Sequence, residues 1–136
     1  YQLKLIERLT QVGIPVMGHI GLTPQSVHQL GGYYTHGKNQ NSADRLMNEA
    51  KALEAAGVFC IVLEMVEENL AEEITKALSV PTIGIGAGKK TDGQVLVIND
   101  LLKMGRQMPP KFCTPVADLF ETKKSLIQKY LGDQRQ

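Results

Sequence analysis

Val58-Phe-Cys-Ile-Val-Leu-Glu64 is the stretch on which the fold turns. Its apolar residues show no alternation, the pattern of a strand covered on both faces, as in a parallel sheet. A strand is expected over 58–63, with Glu64 immediately after it. Upstream, Leu46, Ala50 and Leu53 fall at helical spacing, with Ser42 as a cap and Gly57 as the stop. Downstream, Glu67 and Glu68 suit the first turn of another helix, where carboxylates meet the positive end of its dipole. Leu70, Ile74 and Leu78 form its stripe, and Pro81 bars its continuation. Helix, strand and helix in succession predict an α/β fold with a parallel sheet.

The same alternation extends outward. Residues 1–12 read as a helix with Leu5, Leu9 and Val12 on one face, stopped by Gly13. The chain starts at Tyr1, already inside the pattern Leu3, Ile6, Leu9, so residues are expected upstream. Residues 14–18 read as a short buried strand that stops at His19. Thr23-Pro24 opens a helix to about Leu30, closed by Gly31-Gly32. Residues 33–41 are a polar, turn-rich loop. Residues 82–88 form a third strand ending in a glycine-rich turn, and 94–98 a fourth. Only 89–93 separate these two, where a parallel crossover normally takes a dozen residues or more. Either the crossover is tight or one strand fails. Residues 102–114 are loop, Thr114-Pro115 opens a last helix carrying Leu119, Phe120, Lys123, Leu126, Ile127 and Tyr130, and 132–136 form a polar tail. Four strands with intervening helices fit half of a (βα)8 barrel, which takes about 250 residues when complete. A small doubly wound sheet is the competing architecture.

Composition narrows the function. A formal charge of +1 gives no field that would draw nucleic acid or an acidic membrane, and tryptophan is absent, so base stacking is disfavoured. No apolar run approaches the roughly 20 residues needed to span a bilayer, and no signal peptide is visible. Cys60 and Cys113 stand far apart without the spacing of a zinc site, and Cys60 reads as a small core residue. The pair points to a reducing compartment.

In both architectures ligands bind at the carboxyl ends of parallel strands. On the strands expected above, those ends are His19, Glu64, the glycines Gly84, Gly86 and Gly88, and Asn99-Asp100, which should converge on one rim. Five apolar residues lead straight into Glu64. A carboxylate held there loses part of its hydration, the condition under which it serves as a general base. A helix-terminal charge or an ion pair with Lys or Arg is the plainer alternative. His19 can donate a hydrogen bond or move a proton; as an isolated residue it also fits a satisfied buried histidine. His28 and His36 have weaker claims, and no complete metal site is readable. Gly84-Ile-Gly-Ala-Gly88 allows close approach of a ligand, with amides for an anion, but close strand packing explains it equally well. Nor is it a dinucleotide fingerprint. Thr91-Asp92-Gly93 reads as a turn. Tyr33, Tyr34 and Lys38 could lid a pocket or simply sit in a solvated loop.

Taken together, the motifs resemble a known family. Ile14-Pro-Val-Met-Gly-His-Ile-Gly-Leu-Thr-Pro-Gln-Ser-Val27, Gly31-Gly-Tyr33, Ala52-Leu-Glu-Ala-Ala-Gly57, Ile61-Val-Leu-Glu64, Pro81-Thr-Ile-Gly-Ile-Gly-Ala-Gly88, Asp92-Gly-Gln-Val-Leu-Val97 and Pro110-Lys-Phe112 occur in the order found in the ketopantoate hydroxymethyltransferases. The resemblance implies a (βα)8 TIM barrel of the phosphoenolpyruvate/pyruvate type, with residues 1–136 holding strands five to eight as the C-terminal half of one catalytic domain. It implies transfer of a hydroxymethyl group from 5,10-methylenetetrahydrofolate to 3-methyl-2-oxobutanoate, giving 2-dehydropantoate on the way to pantothenate and coenzyme A. It places Glu64 at the proton acceptor and His19, Gly84 and Gly86 in the substrate pocket. Mg2+ is the implied metal, with its ligands on strands one to four, outside this chain. A fragment without them is expected to be inactive alone and to need its N-terminal half. The implied protein is cytoplasmic and a homo-oligomer, commonly a decamer, acting on small molecules, with no nucleic acid or membrane partner.

The sequence departs from the family at two places. Many members have Glu-Cys-Val-Pro where this chain has Glu64-Met-Val-Glu67, and Lys38 stands where Arg is usual. A metal-dependent barrel enzyme of the phosphoenolpyruvate mutase and isocitrate lyase type, or a non-enzymatic α/β binding domain, are the alternative readings.

Overall fold

The computed structural model describes residues 2–23 and 34–134. Contacts divide the chain into two compact units, Tyr1–Val95 and Leu96–Gln136. The first holds helix α1 (Leu3–Gln11), strand β1 (Met17–Gly21), helix α2 (Gln40–Ala55), strand β2 (Cys60–Glu64), helix α3 (Glu68–Ala77), strand β3 (Thr82–Ile85) and strand β4 (Gly93–Gln94). The strands form one parallel sheet in the order β1-β2-β3-β4. The helix expected after Thr23-Pro24, with His28, Gly31-Gly32 and Tyr33, lies outside the described residues.

Each strand lays alternate residues on opposite faces. Ile20, Ile61 and Leu63 face the helices and are buried, packed with Leu46, Ala50 and Leu53 of α2 and Leu70, Ala71 and Ile74 of α3. Gly18 belongs to this face, because a Cβ there would stand 3.0 Å from Leu53 Cδ1. The other face carries His19, Val62 and Glu64, set side by side by the register His19 with Val62 and Gly21 with Glu64.

Several boundaries differ from the sequence expectation, each for a local reason. β1 runs over Met17–Gly21 rather than 14–18, so His19 lies inside it. Pro15 has no amide to donate, and pairing toward β2 begins where Phe59 donates to the Val16 carbonyl. Glu64 is the last residue of β2, not the residue after it. In α1 the inward side carries Leu3 and Ile6, while Leu5 and Val12 are exposed. The roll of the helix is set by Thr10, whose hydroxyl donates to the Ala56 carbonyl at 2.8 Å. Asn39, not Ser42, caps α2, its side chain accepting from the Ser42 amide. Glu67 caps α3 through its own carboxylate, on the Leu70 amide at 3.0 Å.

The tight crossover is real, and the fourth strand is shorter than expected. β3 ends at Ile85 and β4 holds two residues, paired with Ile83 and Gly84. The turn between them is fastened by side chains in place of a helix. Asp92 accepts from the Thr82 amide at 2.8 Å and the Thr82 hydroxyl, Glu68 accepts from the Lys89 amide, and Lys90 pairs with Glu72. Between Lys76 and Lys90, the Glu72 carboxyl is pulled down to about 2. After Gln94 only the Val95 amide still reaches the Gly84 carbonyl.

In the second unit, Val97 leads into the short helix α4 (Ile98–Leu101), so Asn99 and Asp100 are helical rather than the end of a strand. Helix α5 (Leu119–Asp133) starts four residues after Pro115, because Asp118 supplies the cap for the Glu121 amide and pairs with Lys103. Leu126, Ile127 and Tyr130 of its expected stripe are exposed.

Gly21 has φ +90°, and a Cβ there would fall 2.2 Å from the Glu64 carbonyl oxygen. Gly21→Ala should therefore lower the unfolding free energy in urea by about 2–4 kcal/mol. Thr82→Val keeps the amide that Asp92 accepts from but removes the hydroxyl bound to Asp92, and takes from Thr75 a hydroxyl neighbour. It should cost about 1–3 kcal/mol with an unchanged urea slope.

Candidate active site

The parallel register brings two of the candidate residues into contact. His19 Nε2 lies 3.0 Å from Glu64 Oε2, an ion pair whenever the imidazole is protonated. The Glu64 side chain is 14% exposed and that of His19 36% exposed, so the pair is half sheltered and still open to a small molecule. The plainer alternatives for Glu64 do not describe it. The helix-terminal charges are Glu67 and Glu68, and the ion-pair partner of Glu64 among the described residues is His19, not Lys or Arg.

The backbone around Glu64 is fixed from three sides. Its carbonyl accepts from the Leu22 amide at 2.8 Å, beyond β1. The next amide, of Met65, donates to the Ile85 carbonyl at the end of β3, at 2.9 Å. Met65 itself has φ +52°, the left-handed region that L side chains seldom adopt. The third side is the segment at His36, whose amide donates to the Met65 carbonyl at 2.7 Å while its carbonyl accepts from the Glu67 amide at 2.9 Å. His36 thus pairs in parallel with Val66 and prolongs the sheet past Glu64.

The sequence reading places His36 in the polar loop 33–41, but it is 2% exposed, with its ring 4.4 Å from that of Tyr34. Burial, reinforced by the charge of Arg45, holds its imidazole below the ordinary value of 6.5. Neither His36 nor Met65 stood out in the sequence as part of the site. Tyr34 and Lys38 are exposed, and Tyr34 stacks on His36.

Of the glycines, Gly86 follows Ile85, which pairs with Glu64, and its φ of +62° turns the chain at the strand end. Gly84 is buried inside β3, where a Cβ would press on Thr91 Oγ1 at 2.7 Å. Close packing therefore accounts for Gly84. Gly88 lies against the Glu68 side chain, and the following amide, of Lys89, is already occupied by Glu68, which removes it as an anion donor. Asn99 and Asp100 belong to the second unit, where they are helical rather than at a strand end. A cleft of about 570 Å3 between Leu3 and the outer side of α2 lies elsewhere, bordered by the Arg45–Glu49 pair.

Among the described residues, no group of three or more His, Cys, Asp or Glu could hold a metal ion. A carboxylate beside an imidazole suits proton transfer, since one oxygen is oriented by the ring while the carboxylate takes up a proton. Among the described residues, no helix is long and apolar enough to cross a membrane.

Comparison with known proteins places this chain in a family. The family model described as ketopantoate hydroxymethyltransferase matches residues 1–136. A 3-methyl-2-oxobutanoate hydroxymethyltransferase of Pseudothermotoga lettingae is 56% identical over 94% of this chain and 48% of its own length. Its namesake in Thermosipho africanus is 50% identical over 93% of the chain and 48% of its length, and that of Syntrophotalea carbinolica 47% over 98% and 50%. The chain spans about half the length of the curated relatives it matches. With residues 1–136 all matched and about half of the positions identical, the chain belongs to the ketopantoate hydroxymethyltransferase family.

Proposed function

We propose that Glu64 is the proton acceptor of a hydroxymethyltransferase that acts on 3-methyl-2-oxobutanoate. The observation that carries this is the Glu64–His19 contact at 3.0 Å on the face of the parallel sheet opposite Ile20, Ile61 and Leu63, where β2 ends. The relatives' printed name supplies the reaction class. In this reading Glu64 takes the proton from C3 of the keto acid, and the carbanion so formed attacks the one-carbon unit of 5,10-methylenetetrahydrofolate. Both bonds from the methylene carbon to the folate nitrogens break, water supplies the hydroxyl oxygen of the product, 2-dehydropantoate, and tetrahydrofolate leaves with two protons, one from C3 and one from water, in pantothenate and coenzyme A biosynthesis.

His19 orients the carboxylate toward C3 and lines the pocket, with Gly86 as wall at the end of β3 and Gly84 behind it. Mg2+ is proposed as the metal because the family resemblance implies it. The same resemblance implies ligands on strands one to four, so they are assigned to other parts of the full-length protein. The sheet of four parallel strands is proposed to be strands five to eight of a (βα)8 TIM barrel, and residues 1–136 half of its single catalytic domain. Complete turnover is accordingly assigned to a full-length polypeptide, cytoplasmic and homo-oligomeric, commonly decameric as its family resemblance implies.

Two substitutions in the full-length protein test the assignment. Glu64→Gln should slow deuterium exchange at C3 of 3-methyl-2-oxobutanoate in heavy water by about a hundredfold or more, with keto-acid binding little changed. Near-normal exchange would remove Glu64 from the role of base. His19→Phe keeps a ring and deletes the polar contact. It should slow exchange by about tenfold and alter its pH dependence, because the carboxylate loses the partner that orients it. An unaltered rate and profile would reduce His19 to a packing residue.

A further inference from the structure

We propose that His36 is a positioning residue for Glu64: its sealed, uncharged ring keeps residues 34–37 clamped to residues 65–67, and that clamp fixes the strand end from which the carboxylate projects. The inference rests on the reading of Glu64 as the base. Its grounds are geometric. The two backbone hydrogen bonds of His36 straddle Val66, gripping Met65 on one side and Glu67 on the other. Met65 is the residue directly after Glu64, and its left-handed backbone needs outside support to persist. The imidazole that seats this clamp is 2% exposed, stacked on Tyr34, and its Nε2 has no hydrogen-bond partner among the described residues.

A neutral ring tolerates that seat, since one unpaired nitrogen costs far less than an unpaired buried charge. A protonated ring does not. Among the described residues, the charged groups around it are few. Arg45 of α2 disfavours a second cation. Glu67, at the cap of α3, has its carboxylate on the Leu70 amide and the Asn69 side chain. Glu64 of β2 is engaged with His19, and Lys38, on the segment itself, is exposed. In the open clamp the ring regains an ordinary histidine value of 6.5, while in the closed clamp it lies below that. The open form therefore binds more protons, and the clamp weakens as pH falls below 6.5 until the closed-state value is reached.

Amide hydrogen exchange at His36 and Glu67 reads the clamp directly in the intact protein. The opening constant should rise as pH drops below 6.5, by at most about tenfold per pH unit for a single proton. His36→Gln, which is polar and cannot protonate, should hold the clamp shut with no such slope. C3 exchange should follow: its rate constant falls with the clamp in His36→Ala at little-changed KM, and His36→Gln restores it. A flat wild-type profile, or the same slope in His36→Gln, overturns the proposal. So does an open clamp in His36→Ala with C3 exchange at full rate. If His36→Ala does not fold, the slope in His36→Gln decides. A failure of Glu64 as base is seen separately, in Glu64→Gln, and leaves the amide measurements unmoved.

Discussion

The close approach of β1 to β2 at Gly21 governs the geometry of the site. With φ +90° and no room for a Cβ beside the Glu64 carbonyl, only glycine lets β1 finish against the end of β2. The chain then turns so that the Leu22 amide reaches the same carbonyl at 2.8 Å. With the two strand ends locked, the register upstream follows, and His19 stands two residues before Gly21 on the same face. A slip of one residue would turn His19 toward the helices and separate it from Glu64, because side chains alternate with a period of two.

That alternation also divides the labour between the faces. The helix-facing positions are apolar or small, and Ile20, Ile61 and Leu63 are wholly buried there. Burying them stabilises the sheet by roughly 1.5–3 kcal/mol per side chain relative to exposure. The opposite face carries an imidazole and a carboxylate that are only half sheltered. Desolvating either completely would be costly without a partner, and each has the other. The packing of one face thus supports a polar arrangement on the other that would contribute little to stability by itself.

Much of this was legible in the residues, and the gaps have physical causes. Continuous apolar runs such as 60–63 and helical stripes such as Leu46, Ala50 and Leu53 report burial directly, so the parallel α/β layout and Glu64 at a strand end followed from pattern alone. The strand expected over 14–18 was placed too early because Ile14, Val16 and Met17 are apolar, whereas Pro15 cannot donate to a ladder and Gly18 lies within the strand as a small residue under Leu53. The short crossover to β4 looked strained because its fastening is made by Asp92, Glu68 and Glu72, side chains whose partners lie on other elements. The burial of His36 was invisible for the same reason. Nothing in Tyr34-Thr-His-Gly37 shows a buried ring, since what buries it comes from distant sequence and its pairing with Val66 is made through the backbone.

Met65 shows how the site trades local strain for placement. A side-chain-bearing residue at φ +52° costs about 1–2 kcal/mol relative to an ordinary conformation. Glycine would remove that cost, yet it would also free the backbone one residue from the carboxylate, and a wandering carboxylate loses rate steeply with distance. The structure holds the strained form with two hydrogen bonds of opposite direction, the Met65 amide to Ile85 and the Met65 carbonyl from His36. Each contributes about 1 kcal/mol net, enough together to offset the strain. Because one comes from β3 and the other from the His36 segment, the kink persists only when both neighbours are in place. The position of Glu64 is therefore a property of three separate chain segments, which is why a change at His36 can reach a carboxylate that its ring is not seen to touch.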